Sequence, residues 1–336
     1  MIWQTARFTI DLARPKVMGI VNVTPDSFSD GGQHASVAAA LQHCEKLLRD
    51  GAHILDIGGE SSRPGAMPLP LDEELARVLP VVREAVKLGV PISVDTYKPP
   101  VMQAVLDLGA DIINDIRALQ WREPSPGGPD LPAHPGDVVQ AAMPMALQIV
   151  SRHPRCGVCV MHMHRDPQTM QALPMSGDVM AQVLQFWERI ILQLEGLKVN
   201  SNRIVLDPGI GFGKTVVQNF KLLARQRELL AAGRPLLLGW SRKSSLALAA
   251  GRLPGQPLPA DGPDQMLRSV AAAVLAVERG ASIVRVHDVH ETVQALKISN
   301  AASVVAVLEQ QATGNRQQAT GNRQQATANK QGVTGR

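Results

Sequence analysis

Ser93-Val-Asp-Thr-Tyr-Lys98, entered through the apolar run Val90–Val94, decides the fold. The run is short, apolar and rich in β-branched residues, so it reads as a buried strand. A charge, Asp95, arrives just as that strand ends. The same order recurs along the chain: an apolar strand, a polar residue at its carboxyl end, then a helix. A single α/β (β/α)8 barrel is the simplest fold that gathers so many strand ends around one pocket.

Upstream of Asp95, Lys16–Val23 reads as the first strand and Asn22–Gly32 (NVTPDSFSDGG) as a long loop carrying one exposed aromatic, Phe28. Ser36 is placed as the cap of a helix running to Asp50. His53–Ile57 is the second strand, ending at Asp56, and a second long loop, Gly58–Pro70, leads to a helix over Asp72–Leu88. Loops this long on a compact domain are functional or disordered.

Downstream, a helix over Pro99–Leu108 leads to a short fourth strand, Ile112–Ile113, ending at Asn114 and Asp115. Trp121–Asp137 holds five prolines and three glycines and reads as a surface insertion. A helix is expected from there to Arg152, kinked or shortened by Pro144. Gly157–Met161 is the fifth strand, with His162 at its end, followed by a helix over Gly177–Leu194. Arg203–Leu206, ending at Asp207, is the sixth, and the glycine-rich loop Pro208–Thr215 precedes a helix over Gln218–Ala232. Pro235–Leu238 is the seventh strand, and Lys243 opens a short helix. A proline-rich link, Leu253–Pro263, leads to a helix over Asp264–Arg279. Ser282–Val286 is the eighth strand, with Arg285 and His287 at its mouth, and the last helix is expected over His290–Leu308. Residues 1–309 thus form one domain. Beyond them QQATGNR repeats with a period of seven, without a large apolar residue, so the tail 310–336 is expected to be disordered rather than coiled.

Of the 336 residues 45% are hydrophobic and only 3% aromatic, which calls for an aliphatic core. The formal net charge of +4 belongs to the tail: Arg316, Arg323, Lys330 and Arg336 meet no acidic residue there, so the body is neutral. That argues against a nucleic-acid partner. No apolar run reaches membrane-spanning length, so no membrane partner is expected. Three cysteines without a secretory signal suit reduced thiols in a cytoplasm. Cys156 and Cys159 have CxxC spacing, but on a strand such positions face opposite ways. Gly211–Thr215 ends like a phosphate-binding loop, yet Pro208 stands where its first glycine belongs. His162-Met-His164 lacks a carboxylate or further histidine at metal-ligand spacing.

Asn22, Asp56, Asp95, Asn114, His162, Asp207, Lys243, Arg285 and His287 all fall at strand ends. A cap or solvated loop residue would explain any one of them, but not the set. Asn22, Arg285 and His287 become neighbours when the barrel closes, and a guanidinium with imidazole and amide donors suits a phosphate or diphosphate. Asp95, Asn114 and Asp207 form a second group without positive charge, suited to a heterocycle such as a purine or pterin. Lys243 at a helix start reads as an anion site, for instance for a carboxylate.

Eight strings carry a close resemblance to the dihydropteroate synthases, sulfonamide-inhibited transferases of the pterin-binding superfamily. They are MGIVNVTPDSFSDGG (Met18–Gly32), LDIGGESSRPG (Leu55–Gly65), ISVDTYK (Ile92–Lys98), IINDI (Ile112–Ile116), VMHM (Val160–Met163), LDPGIGFGKT (Leu206–Thr215), SRKS (Ser241–Ser244) and IVRVHDV (Ile283–Val289). The resemblance implies condensation of 6-hydroxymethyl-7,8-dihydropterin diphosphate with 4-aminobenzoate in folate biosynthesis, by a homodimer. By position it assigns Asp95, Asn114, Asp207 and Lys243 to the pterin, with Met161, Phe212 and Gly239 lining its slot. Asn22 would hold a Mg²⁺ that also binds the diphosphate, assisted by Arg285 and His287. Phe28, Ser62, Arg63, Pro64 and Ser244 match the aminobenzoate subsite. The catalytic set is then Asp95, Lys243, Arg285 and His287.

The chain departs from the family pattern at Ser62, where threonine is usual, at His164-Arg165 in place of Gln-Gly, at Trp240 in place of a smaller residue, and in the longer insertion after the fourth strand. The alternatives are a pterin-binding methyltransferase domain of the same superfamily and a non-catalytic pterin-binding module. Neither explains why the SRK lysine, both long loops, Asn22, Arg285 and His287 are all present.

Overall fold

A computed structural model describes residues 1–23, 32–63, 65–122, 143–249, 251, 263–302 and 304–305. The expectations for Phe28, Pro64, most of the insertion, most of the 253–263 link and the tail 310–336 lie outside the described residues. The chain divides into two compact units, Met1–Val293 and Gln294–Arg336, and the barrel belongs to the first.

Eight parallel strands form one sheet: β3 (Lys16–Asn22), β4 (Ile54–Gly58), β5 (Ile92–Asp95), β6 (Ile112–Asp115), β7 (Gly157–Met161), β8 (Ile204–Asp207), β9 (Leu237–Leu238) and β10 (Ile283–Val286). Their order is β8-β7-β6-β5-β4-β3-β10-β9, and a parallel bridge between Leu206 and Leu236 brings the two edges together. The first and last barrel strands pair, Arg285 opposite Met18, as the sequence reading requires. Each strand is four to seven residues long except β9, which has two. The strands are nearly continuous apolar runs because both faces are covered, by side chains inside and helices outside.

The helices between strands are α1 (Gly32–Arg49), α2 (Leu71–Ala85), α3 (Pro99–Asp107), α4 (Met145–Arg152), α5 (Val179–Gly196), α6 (Val216–Ala224), α7 (Gln226–Leu229), α8 (Ser244–Ala249) and α9 (Pro263–Glu278). Residues 289–302 are also helical. Two sequence expectations are corrected. Ser36 lies inside α1, which starts four residues earlier, so it is not the cap. The helix expected over Gln218–Ala232 is three pieces: Thr215 and Gln218 form a capping box that starts α6 at Val216, and Arg225 separates it from α7, which passes into a 3-10 turn over Leu230–Ala232.

An N-terminal hairpin, β1 (Ile2–Gln4) and β2 (Thr9–Asp11), has no counterpart in the sequence reading. It plugs the end of the barrel opposite the strand carboxyl ends. Trp3, Ile10 and Leu12 pack with Met18, Ile54, Ile112, Cys159, Val205, Leu237 and Ile283 from the barrel interior. Trp3 is fully buried and its Nε1 donates to the Arg203 carbonyl at 2.9 Å. A side chain at Gly157 would meet Trp3 Nε1 at 3.1 Å, so glycine makes room for the plug. Arg7 ties the hairpin down through Asp111, donating from its backbone N–H at 2.9 Å and from Nη2 at 2.6 Å.

Candidate active site

With the lower end sealed, the pocket lies at the strand carboxyl ends. Arg285 on β10 is its hub: Nε donates to Asp56 Oδ2 at 2.5 Å and Nη2 to Asp95 Oδ2 at 2.8 Å. Asn114 Nδ2 reaches the same Asp56 oxygen at 3.2 Å. This corrects the sequence reading, in which the carboxylates form a group without positive charge: Arg285 joins them, and among the described residues its Nη1 has no partner and is left for a ligand. Burial pushes Asp95 up to about 7, with Arg285 opposing the rise and Asp56 adding to it. Burial works against the charge on Arg285 too, but Asp56 and Asp95 outweigh it and hold its pKa above the usual value. Among the described residues Asp56 Oδ1, which is buried, has no hydrogen-bond partner, leaving an acceptor for a ligand N–H.

Asp207 and Lys243 face this hub from β8 and from the start of α8. Asp207 Oδ1 accepts from the Gly209 N–H at 2.7 Å, and burial raises its carboxyl to about 6 against the pull of that bond and of Lys243. Lys243 Nζ lies 4.1 Å from the centroid of the Phe212 ring. Burial lowers its pKa to about 8, Asp207 opposing. The ammonium therefore points inward, toward Asp207 and an aromatic face, and not outward as a carboxylate receptor; α8 is only six residues long.

Phe212 packs with Met161, Tyr97, Ile116 and Met170, an apolar patch for one face of a flat ring. At Gly239 an added Cβ would meet nothing within 4 Å among the described residues, so the space beside this glycine is open. Trp240 is buried with its ring 5.5 Å from Phe220, so the substitution at this position fills space on the helix side. The loop bearing Phe212 is tightly constrained. Gly209 has φ +68°, and a Cβ there would fall 1.9 Å from the His162 carbonyl oxygen. Lys214 is buried with Nζ donating to the carbonyls of His162 (3.2 Å), Gly209 (3.0 Å) and Phe212 (3.1 Å). All three of its protons are spent on backbone, which removes it as a phosphate ligand.

His287 is fixed by Ser241, whose Oγ accepts from the His287 backbone N–H at 3.1 Å and pairs with its Nδ1 at 3.0 Å. Burial, together with Arg242, Arg285, Arg63 and Lys243, pushes the imidazole down to about 3, so it is neutral. Asn22 is exposed at the end of β3. On the second loop Ser62 is half-buried and Arg63 exposed, yet the Arg63 charge reaches both Lys243 and His287. Ser244 is exposed at the first turn of α8. Phe28 and Pro64 lie outside the described residues.

Three residues gain roles the sequence left unassigned. Asp56 is noted there only as a strand end, although a carboxylate inside so apolar a strand needs a buried counter-charge. Lys214 and Ser241 carry no such signal, since their partners are backbone and a histidine 46 residues away. Asp115, in contrast, is structural: both its oxygens accept backbone N–H bonds, from Arg117 and Leu119, each at 2.7 Å.

The thiols of Cys44, Cys156 and Cys159 are free and buried. Burial raises Cys156 to about 12, leaving no reactive CxxC pair. Among the described residues no cluster of three His, Cys, Asp or Glu could hold a metal ion.

A family model described as "Pterin binding enzyme" matches residues 18–287. The dihydropteroate synthase of Neisseria meningitidis serogroup B is 43% identical over 308 residues, covering 90% of this chain and 98% of its own length. The structure of the Xanthomonas albilineans dihydropteroate synthase with 4-aminobenzoic acid is similar at a TM-score of 0.74 and 42% identity, covering 88% of this chain and 95% of that one. The Burkholderia cenocepacia dihydropteroate synthase complexed with 7,8-dihydropteroate matches at a TM-score of 0.73 and 43% identity, covering 91% and 98%. The barrel, its carboxylate–arginine hub and this kinship agree: the chain belongs to the dihydropteroate synthase family of pterin-binding enzymes.

Proposed function

We propose that this chain condenses 6-hydroxymethyl-7,8-dihydropterin diphosphate with 4-aminobenzoate, giving 7,8-dihydropteroate and diphosphate. The observation that carries this reading is the Arg285 hub, which sets carboxylates for a pterin and a cation for a leaving diphosphate side by side. Asp95, Asn114 and Asp207 hydrogen-bond the pterin edge, Lys243 lies over Phe212 beside them, and Met161, Phe212 and Gly239 bound the slot. Arg285 and His287 donate to the diphosphate. Phe28, Ser62, Arg63, Pro64 and Ser244 receive the aminobenzoate.

Breaking the C–O bond leaves its electron pair on the diphosphate and a resonance-stabilised cation on the pterin methylene. Asp95, fixed by Arg285, stabilises that cation without changing its own position, and so avoids reorganisation during the step. The arylamine nitrogen then attacks the methylene carbon and gives up a proton to regain neutrality. A dry pocket matters because water would otherwise capture the cation.

Mg²⁺ suits the donors present. This ion keeps most of its waters and takes one or two protein oxygens plus substrate phosphate, and the exposed Asn22 amide at the end of β3 is such a donor. When bound there, the ion would offset charge on the departing diphosphate.

In this reading the enzyme is a cytoplasmic homodimer. Buried, unpaired cysteines suit a reducing compartment. Among the described residues no helix is long and apolar enough to cross a membrane. Kinship alone supports the dimer, and sedimentation velocity tests it. The activity is tested with purified protein, Mg²⁺, the pterin diphosphate and radiolabelled 4-aminobenzoate, scored for pteroate and diphosphate. Formation of both is expected; pterin binding without product would overturn the reading.

A further inference from the structure

Lys98 ties together both ends of the loop between β4 and α2. Its Nζ donates to Glu60 Oε2 at 2.5 Å, near the loop's start, and to the Leu69 carbonyl at 2.6 Å, near its end. The third bond goes to Glu74 Oε2 in the first turn of α2, at 2.6 Å. An ammonium has three protons and all are used. The other carboxylate oxygens are taken too: Tyr97 OH donates to Glu60 Oε1 at 2.9 Å and Thr96 Oγ1 to Glu74 Oε1 at 2.6 Å. Lys98 and Glu74 are buried, and the Glu60 side chain is 14% exposed. Arg77 adds a bond from Nη1 to the Gly59 carbonyl at 3.0 Å, and Gly65 N–H donates to the Pro167 carbonyl at 2.9 Å on the segment after β7.

A buried cluster of one ammonium and two carboxylates is a poor way to add stability, since desolvation offsets most of its attraction and an apolar packing would serve as well. What it supplies is geometry. Ser62 and Arg63 lie between the two clamped ends. The clamp consists of Thr96, Tyr97 and Lys98, the three residues directly after Asp95. Tyr97 also packs with Met161 and Phe212, the floor of the pterin slot. One segment therefore holds the pterin charge and the frame of the neighbouring loop.

We infer that Lys98, with Glu60 and Glu74, is a positioning residue that fixes the second loop for arylamine binding, and so sets KM for 4-aminobenzoate rather than affinity for the pterin. This rests on the reading of Ser62 and Arg63 as part of the aminobenzoate subsite. No role in bond making is assigned to the cluster.

Lys98→Met, Glu60→Gln, Lys98→Arg and Arg63→Ala test it in the full chain, with Glu84→Gln, an exposed pair with Lys87, as control. KM for 4-aminobenzoate and kcat are read from steady-state assays, and 6-hydroxymethylpterin binding from calorimetry. Lys98→Met and Glu60→Gln are expected to raise the aminobenzoate KM by about tenfold or more while pterin Kd stays within about twofold, the sign of lost orientation at one subsite. Lys98→Arg should recover most of the loss, and the control should not move. Should Lys98→Met fail to fold by circular dichroism, Glu60→Gln, which keeps shape and removes one charge, carries the test. An unchanged aminobenzoate KM beside a raised KM in Arg63→Ala overturns the inference and leaves the subsite reading standing. An unchanged KM in Arg63→Ala as well overturns both. A pterin Kd that weakens in step with KM marks a general structural role and also overturns the inference.

Discussion

Asp95 and Arg285 are 190 positions apart in sequence and 2.8 Å apart in space, joined by the Nη2–Oδ2 bond that crosses the barrel mouth from β5 to β10. The bond gives Asp95 a fixed direction, and the shared partner Asp56 keeps Arg285 from following a ligand that pulls on it. On the proposed mechanism Asp95 is a placed charge and not a general base. Asp95→Asn is expected to keep the fold, because Arg285 retains Asp56, and to lower kcat by about 100-fold or more, the range seen when one preorganised electrostatic group is removed. Pteroate formation and far-ultraviolet dichroism, measured together, check it; near-normal turnover would sink the assignment.

Removing the other partner is costlier. Arg285→Met leaves Asp56, wholly buried, and Asp95 facing each other without the guanidinium that joins them. Loss of one member of a buried ion cluster typically costs about 3–5 kcal/mol. Asp95, already raised and now deprived of the Arg285 charge that opposed the rise, moves further up in pKa, so the variant's deficit is largest where this carboxyl must be ionised and shrinks as pH falls and it takes up a proton. Urea unfolding at pH 8 and at pH 5.5 should show that narrowing; a deficit independent of pH would contradict it.

Ligand affinity should also follow pH in a definite direction. Asp95 is raised to about 7 and Asp207 to about 6, both by burial, so each is charged above its pKa and neutral below. Lys243 is lowered to about 8, so it loses its charge above that value. Pterin binding by the free enzyme is expected to weaken as pH falls through 7 to 6, and again as it rises past 8. Calorimetry with a pterin that does not itself titrate in this range decides the matter, and Asp207→Asn should flatten the acid limb.

Gly209 fixes the course of the loop that carries Phe212. Its φ of +68° and the 1.9 Å approach of the His162 carbonyl leave no space for a methyl group. Gly209→Ala must displace the loop that carries Phe212 and release Lys214 from two of its carbonyls. A rise in pterin Kd of about tenfold is expected, the scale on which misplacement of a positioning element acts. Wild-type affinity would show that the loop shifts without disturbing Phe212.

At the opposite end of the barrel the expectation reverses. Trp3→Ala removes a fully buried indole and its bond to the Arg203 carbonyl. Such truncations cost about 3–5 kcal/mol, yet kcat/KM per folded molecule should be unchanged. Denaturant midpoints and active-site-normalised rates separate the two effects.

The strand ends are legible because a buried apolar run that terminates in a polar or charged residue is an unusual local pattern, and Asp95, Asn114, Asp207 and Arg285 all stand at the ends of such runs. The pairing among them is not legible, since nothing local tells Arg285 that its counter-charges sit on β4 and β5. The hairpin escaped for a different reason: three-residue strands are too short to establish a period of two, and Trp3 looks like any isolated aromatic until Gly157 is seen making space for it. Lys98 draws no assignment from the sequence, because its burial depends on Glu60 and Glu74 converging on it from a loop and a helix. Single-residue chemistry survives in the sequence, whereas partner identity requires the closed barrel.

The plug has a bearing on how the molecule is assembled. Trp3 docks on a carbonyl 200 residues further along the chain, so the lower end of the barrel cannot seal until β8 is in place. Contacts of such long sequence separation form late and slowly. Until then Trp3, Ile10 and Leu12 are only partly covered, by Met18, Ile54 and Ile112 of the strands already made, and a nascent chain carries an unfinished apolar seal through most of its synthesis, the kind of transient surface on which aggregation starts.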